Sequence, residues 1–336
     1  VMKNYLFHIG IDVSKLKLDV VVLDIKLSNQ TEHFVVENNQ KGIKSILDYL
    51  KKNKVNPITT LFCYESTGVY NYPLNVFLSE KKLDYWVVPA IEIKRSKGIS
   101  RGKNDKADAK DIAFYSLRNI DKLNLSSVPE KEIQQLKLLF SEREKLVKAI
   151  LLFESSKENK GFISKDVYKE IELINAKTIH NLKNSLKIIE RKMKTIISSN
   201  EQLKQQYDLV KSIPGVGEQT AIYFIMATKG FKAFKTWRKF ACYSGVAPFE
   251  YSSGSSVRGR TKVNHLADKK MKSLLQMCAM TAIKYDPQLK EYYQKKKEEG
   301  KNGMLVLNNI RCKIISRVFA VINRQTPYIN TYKFAG

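Results

Sequence analysis

Apolar and polar positions change period twice along the 336 residues of this chain. The first stretch alternates short apolar runs with turn residues. It reads as three strands, Tyr5–Val13, Lys17–Leu23 and Thr31–Glu37, the first two joined through Ser14-Lys15, a link short enough for a hairpin. Ile43, Ile46, Leu47 and Leu50 then recur at helical spacing, predicting a helix over 42–52. A strand at 59–64, a helix at 69–82, a strand at 85–88 and a helix at 105–117 follow. Three antiparallel strands and then alternating helix and strand predict a mixed α/β sheet, the order of a ribonuclease-H-like fold. Residues 94–106, rich in Lys, Arg, Gly and Ser, read as a mobile loop.

From about residue 130 the period becomes that of heptads. Ile133, Phe140 and Val147 are seven apart, Leu136 and Ile150 fourteen, with Arg143 interrupting. After a polar break over 155–161, Leu182, Leu186, Ile189, Met193 and Ile196 follow a 4-3-4-3 rhythm. This is the seam of an antiparallel helical hairpin or coiled coil, either a spacer packing on itself or a dimerisation arm. Ile213-Pro214-Gly215-Val216-Gly217 then separates a helix ending near Val210 from one beginning near Glu218. That is the hairpin of a helix-hairpin-helix, whose glycines admit a phosphate to backbone N–H groups; a plain helix–helix turn is the bland alternative. The predicted domains are 1–125, 126–205 and 206–336.

Composition adds a partner. The net charge is +26, and residues 211–336 hold 23 Lys and Arg against 7 Asp and Glu. Such a field suits a nucleic acid, and no apolar stretch is long enough to span a bilayer. No signal peptide is read at the start. Cys63, Cys242, Cys278 and Cys312 are scattered without a Cys-x-x-Cys pair, which fits a reducing cytoplasm and small core residues.

Four acids carry the first candidate chemistry. Asp12 ends the apolar run Phe7–Ile11, and Glu65 follows Leu61–Tyr64 just before Ser66-Thr67-Gly68. Asp105 and Asp108 lie three apart at the start of a helix, hence on one face. Carboxylates from two strand ends and one helix make a hard-oxygen cage suited to two Mg²⁺ ions, as used in phosphodiester cleavage. Asp19, beyond the hairpin, and Asp111, one turn further along the helix, are set aside. His8 in its apolar strand reads as a core histidine, while His265 is a loop residue or a phosphate contact.

The second candidate runs from Tyr251 to Lys262. It is a Ser/Gly-rich loop in which Arg258, Arg260 and Lys262 can cradle a phosphate. Composition alone gives a phosphate-contacting loop without a nucleophile. Tyr251 is a rival nucleophile, though its alternation with Phe249 favours packing.

Together these segments resemble the DEDD-type insertion-sequence transposases, the family that includes the pilin-gene invertases and bridge-RNA-guided recombinases. The likeness covers nearly the whole chain. It rests on Ile9–Lys15, Glu65–Tyr70, Lys103–Ala109, Ile213–Gly217, Tyr243–Pro248 and Ser253-Gly254. Members commonly carry Gly-Asn-x-x-Leu-Arg where this chain has Ala267-Asp268-Lys269-Lys270-Met271-Lys272. The resemblance implies a RuvC-like domain holding Mg²⁺ on Asp12, Glu65, Asp105 and Asp108, a coiled-coil arm, and a mainly α transposase domain with a serine nucleophile, Ser253 or its neighbour Ser252, of which the adjacent Gly254 favours Ser253. It further implies nucleic-acid contacts at Gly215, Gly217, Arg258, Arg260 and Lys262, and a homodimer or homotetramer acting on donor and target DNA. A structured guide RNA, a shared site joining one protomer's tetrad to another's serine, and a bacterial or archaeal nucleoid setting follow from it as well. The competing readings are a junction nuclease that uses water and a non-catalytic architectural nucleic-acid-binding protein.

Overall fold

The computed structural model describes the chain except residues 1–2, 28–30, 97–103, 156–157, 159, 254–256, 264–265 and 331–336; for 250–262 it describes the backbone alone. The chain divides into two compact units, Val1–Val128 and Pro129–Gly336.

The first unit is built on a five-stranded sheet. Its strands are β1 (Phe7–Val13), β2 (Lys17–Asp24), β3 (Thr31–Glu37), β4 (Thr60–Glu65) and β5 (Tyr85–Val88), in the order β3-β2-β1-β4-β5. β1 pairs antiparallel with β2 and parallel with β4, so it is central. Helices α1 (Gln40–Lys52) and α2 (Tyr72–Glu80) cover one face through Ile43, Ile46, Leu50, Leu74 and Leu78, packed on Ile9, Ile11 and Val13. Helices α3 (Ala90–Ser96) and α4 (Asp105–Arg118) belong to the other face, with Leu61, Cys63, Ile93 and Ile112 in one cluster and Val21, Leu23, Ala109 and Ala113 in another. Burial on both faces is why these strands read as unbroken apolar runs. With side chains alternating along β1, His8, Gly10 and Asp12 take the α4 side.

Two boundaries differ from the sequence expectation. The helix expected from 69 begins at Tyr72, after a 3₁₀ turn over Gly68–Asn71. Gly68 takes φ +70, and buried Asn71 donates to the Glu65 carbonyl at 2.6 Å, which holds the chain in that turn. The loop expected over 94–106 is helical up to Ser96 and again from Asp105, where Asn104 caps α4 through the Lys106 amide at 3.0 Å. The remainder of that loop, 97–103, lies outside the described residues.

The second unit begins with a long helical hairpin, α5 (Lys131–Ser155) and α6 (Lys165–Ser198). Arg143, the break in the heptads, donates to Glu190 Oε1 at 2.8 Å, and Lys183 to Glu154 at 3.0 Å, pairings that run antiparallel. At its base, Leu136, Phe140, Met193 and Ile197 pack on Ile222 and Met226. Those two belong to α8 (Glu218–Ala227), which follows α7 (Glu201–Lys211). The arm is therefore continuous with the C-terminal core. That core also includes α9 (Trp237–Tyr243), α10 (Lys269–Tyr285), α11 (Pro287–Glu298) and α12 (Gly303–Arg324), with Ile310, Ile314 and Val318 of α12 fully buried.

Between α9 and α10 the expected serine loop is instead a two-stranded ribbon, β6 (Pro248–Ser253) and β7 (Val257–Val263). Ser253 pairs with Val257, Ser252 with Arg258 and Tyr251 with Gly259, past an irregularity between Phe249 and Tyr251. The alternation of Phe249 and Tyr251 marks β6, whereas Ser/Gly composition concealed the rest of the ribbon.

Candidate active site

Gly10 sets the geometry of the first cluster. A Cβ built on it would lie 2.1 Å from the Ala109 carbonyl oxygen and 2.4 Å from the Ala113 amide nitrogen. Only glycine lets the α4 backbone rest directly on β1 at this point. Two residues further along β1 comes Asp12, and one helical turn before Ala109 comes Asp105, with Asp108 beside it. Glu65 ends β4, the parallel neighbour of β1, in which Ile11 pairs with Tyr64. All four acids are half-buried.

Their charges meet at Asp12. Burial raises its carboxyl from the usual 3.8 to about 6, and Asp105, Asp108, Glu65 and Asp19 push it the same way. Burial and repulsion both disfavour the ionised form. Among the described residues, no three His, Cys, Asp or Glu side chains stand close enough to hold a metal ion. The acids are thus gathered within range of charge repulsion, short of a formed coordination shell. In kind and charge they fit a hard divalent cation, which would relieve the repulsion at Asp12.

Asp19 was set aside from the sequence, yet it is the ladder partner of Asp12. The Ser14 amide donates to the Lys17 carbonyl at 3.0 Å, so only Lys15 and Leu16 form the turn, and position 12 faces 19. Asp19 is buried; its Oδ1 lies 3.0 Å from His33 Nε2 and its Oδ2 3.0 Å from Lys17 Nζ. Lys17 also donates to Asp105 Oδ2 at 2.8 Å. Asp111 sits in the next turn of α4, and buried His8 bonds Ser116 Oγ at 2.8 Å, as a core histidine should.

In the second unit, Gly215 has φ +90, and a Cβ there would lie 2.7 Å from the Cys278 carbonyl oxygen of α10. Packing therefore accounts for Gly215, whereas a Cβ on Gly217, just before α8, would meet open space. Ser253 closes β6, and Arg258, Arg260 and Lys262 lie along β7; their side chains, and all of His265, lie outside the description. The foot of the ribbon is firmly tied. Asp268 caps α10 through the Met271 amide at 2.8 Å and accepts from Tyr223 at 2.8 Å and Tyr243 at 2.9 Å. Burial, then Asp268, holds both phenols well above their usual range. Asp268 is thus engaged within the protein.

Residues 9–153, containing all four acids, match a family model described as Transposase, of the DEDD IS110 type. Residues 207–294, containing the glycine turn, the ribbon and its foot, match the Transposase IS116/IS110/IS902 family. The chain belongs to the IS110 family of transposases. This IS110-family chain is 23% identical over 327 residues to a pilin gene-inverting protein of Moraxella bovis, covering 96% of this chain and 97% of that one. A pilin gene-inverting protein of Moraxella lacunata is 22% identical over the same length and shares. An uncharacterised 43.6 kDa protein of insertion element IS110 from Streptomyces coelicolor is 26% identical over 153 residues, 45% of this chain and 38% of that protein. Among the described residues of this IS110-family transposase, no helix is long and apolar enough to cross a membrane.

Proposed function

We propose that this transposase cuts and rejoins DNA strands through a phosphoserine intermediate on Ser253. The observation that carries the proposal is the convergence of Asp12 near the end of β1, Glu65 at the end of the neighbouring β4, and Asp105 and Asp108 at the head of α4, which rests on Gly10 of β1. Crowded carboxylates cost stability, and a resident cation is the simplest compensation. Asp12, Glu65, Asp105 and Asp108 would hold Mg²⁺, as a pair of ions that neutralises charge at phosphorus and makes the attacking oxygen more nucleophilic.

Ser253 Oγ would form the bond to phosphorus as one deoxyribose oxygen leaves. Arg258, Arg260 and Lys262 on the paired strand would offset the phosphate charge, and Gly217 would admit the DNA backbone. The covalent step conserves bond energy, so rejoining requires no ATP. A pilin gene-inverting relative matched over nearly its whole length supports cutting with rejoining rather than hydrolysis alone.

The basic C-terminal region would also carry a structured guide RNA that pairs with donor and target DNA. A homodimer or homotetramer would complete the site by bringing one protomer's Ser253 to another's tetrad. RNA retained on purification, with steep loss of binding as salt rises, is expected if the guide is held through phosphates. Protein that retains no RNA and gains no target preference from its element's transcripts would remove the guide from this account.

Cleavage tests the metal site. Asp12→Asn and Glu65→Gln should abolish Mg²⁺-dependent strand cutting while leaving the fold and DNA binding intact. Full cutting by either variant would refute the tetrad.

A further inference from the structure

We infer that Lys17 is a built-in counter-ion of the acid cluster, sharing its ammonium between Asp105 and the buried Asp19 and so competing with divalent cations. The inference rests on the metal-site reading of the tetrad and extends it to residues outside the tetrad.

The geometry is specific. Lys17 opens β2, immediately after the two-residue turn, and its Nζ lies 2.8 Å from Asp105 Oδ2 and 3.0 Å from Asp19 Oδ2. An ammonium has three donors, of which these two carboxylates take two. Asp19 is 4% exposed and faces Asp12 across the β1–β2 ladder. Its other oxygen is held by His33. Asp19 is therefore a fixed anchor on the sheet, whereas Asp105 opens a helix and belongs to the tetrad. Lys17 itself is 45% exposed at the side chain, so its hold on Asp105 is that of a surface ion pair. A divalent ion taking Asp105 would leave Lys17 a resting place on Asp19. The lysine thus shields the acids from one another until an ion arrives, and sets the concentration at which it does.

Titration of full-length protein with Mn²⁺, without nucleic acid and followed by calorimetry or paramagnetic resonance, tests this directly. Lys17→Met should tighten Mn²⁺ binding by about fivefold, the scale of a partly exposed ion pair that stops competing. Lys17→Arg, which keeps the charge, should stay near wild type. Asp19→Asn should weaken binding, because the ammonium then rests on Asp105 alone. Adding Lys17→Met to that variant should restore the tight binding, since the two effects act through one group. Equal or weaker Mn²⁺ binding by Lys17→Met, with wild type binding normally and Asp12→Asn not at all, would overturn the counter-ion role and leave the metal site standing. Failure of wild type and Lys17→Met alike to bind Mn²⁺ would overturn both.

Discussion

Gly10 and Ala109 bring strand and helix backbones into direct contact: a methyl group at position 10 would stand 2.1 Å from the Ala109 carbonyl oxygen. No side chain can yield there, because the opposing atom is backbone. The same contact places the head of α4 beside Asp12. Position 10 therefore governs both the stability of the first unit and the spacing of its acids.

Gly10→Ala should cost about 1–3 kcal/mol, the usual range for overpacking a close contact, and should reduce cleavage further by moving Asp105 and Asp108 away from β1. Urea unfolding and a strand-cleavage assay at a temperature where the variant is folded measure the two effects separately. Wild-type stability in this variant would mean that α4 does not lie against β1.

Asp12 predicts a pH dependence. Its carboxyl is raised from 3.8 to about 6, so ionisation opposes folding. The cost is absent below the unfolded value, grows between the two, and is complete above about 6. Full burial would make it about 3 kcal/mol, but Asp12 is partly solvated, and screening reduces the expectation to about 1 kcal/mol. Asp12→Asn should therefore melt higher than wild type at pH 7.5 in EDTA. The advantage should fade as the pH falls towards 4, and shrink when Mg²⁺ is added to wild type. Thermal denaturation across this range, showing wild type at least as stable as the variant at pH 7.5 in EDTA, would contradict the electrostatic picture.

Asp268 predicts a stability effect in the other unit. Asp268→Ala removes the cap of α10 and leaves the Tyr223 and Tyr243 hydroxyls without their acceptor, an expected loss of about 2 kcal/mol. Asp268→Asn keeps a capping oxygen and should lose less. Chemical denaturation monitored within the second unit would separate them, and equal losses would show that a neutral capping oxygen contributes nothing without the charge of the carboxylate.

The strands of the first unit were legible because β1, β2 and β4 are buried on both faces and so appear as plain apolar runs. The places of the four acids in the fold were legible because Asp12 and Glu65 stand at the ends of apolar strands and Asp105 and Asp108 open a helix. Asp19 was missed for want of a register: a turn of Lys15 and Leu16 alone makes it face Asp12, and the sequence left the turn one residue uncertain. Helix α3 was hidden by its brevity, with Ile93 its one buried side chain. Of the ribbon carrying Ser253, the alternation of Phe249 and Tyr251 was legible, and the rest was hidden by serine and glycine, which carry no period. The heptads of α5 and α6 were plain, but their packing on Ile222 and Met226 was not, because contacts between distant segments leave no local pattern.

The covalent step on Ser253 is the centre of this account, and a suicide DNA substrate tests it. Incubated with Mg²⁺, wild type should give a protein–DNA adduct stable to denaturation, and peptide mapping should place it on Ser253. Ser253→Ala and Asp12→Asn should each lose the adduct, and Ser252→Ala should keep it. An adduct mapped to Ser252 or Tyr251 would contradict the assignment, and cleavage by wild type without any adduct would show that water, not serine, attacks the phosphate.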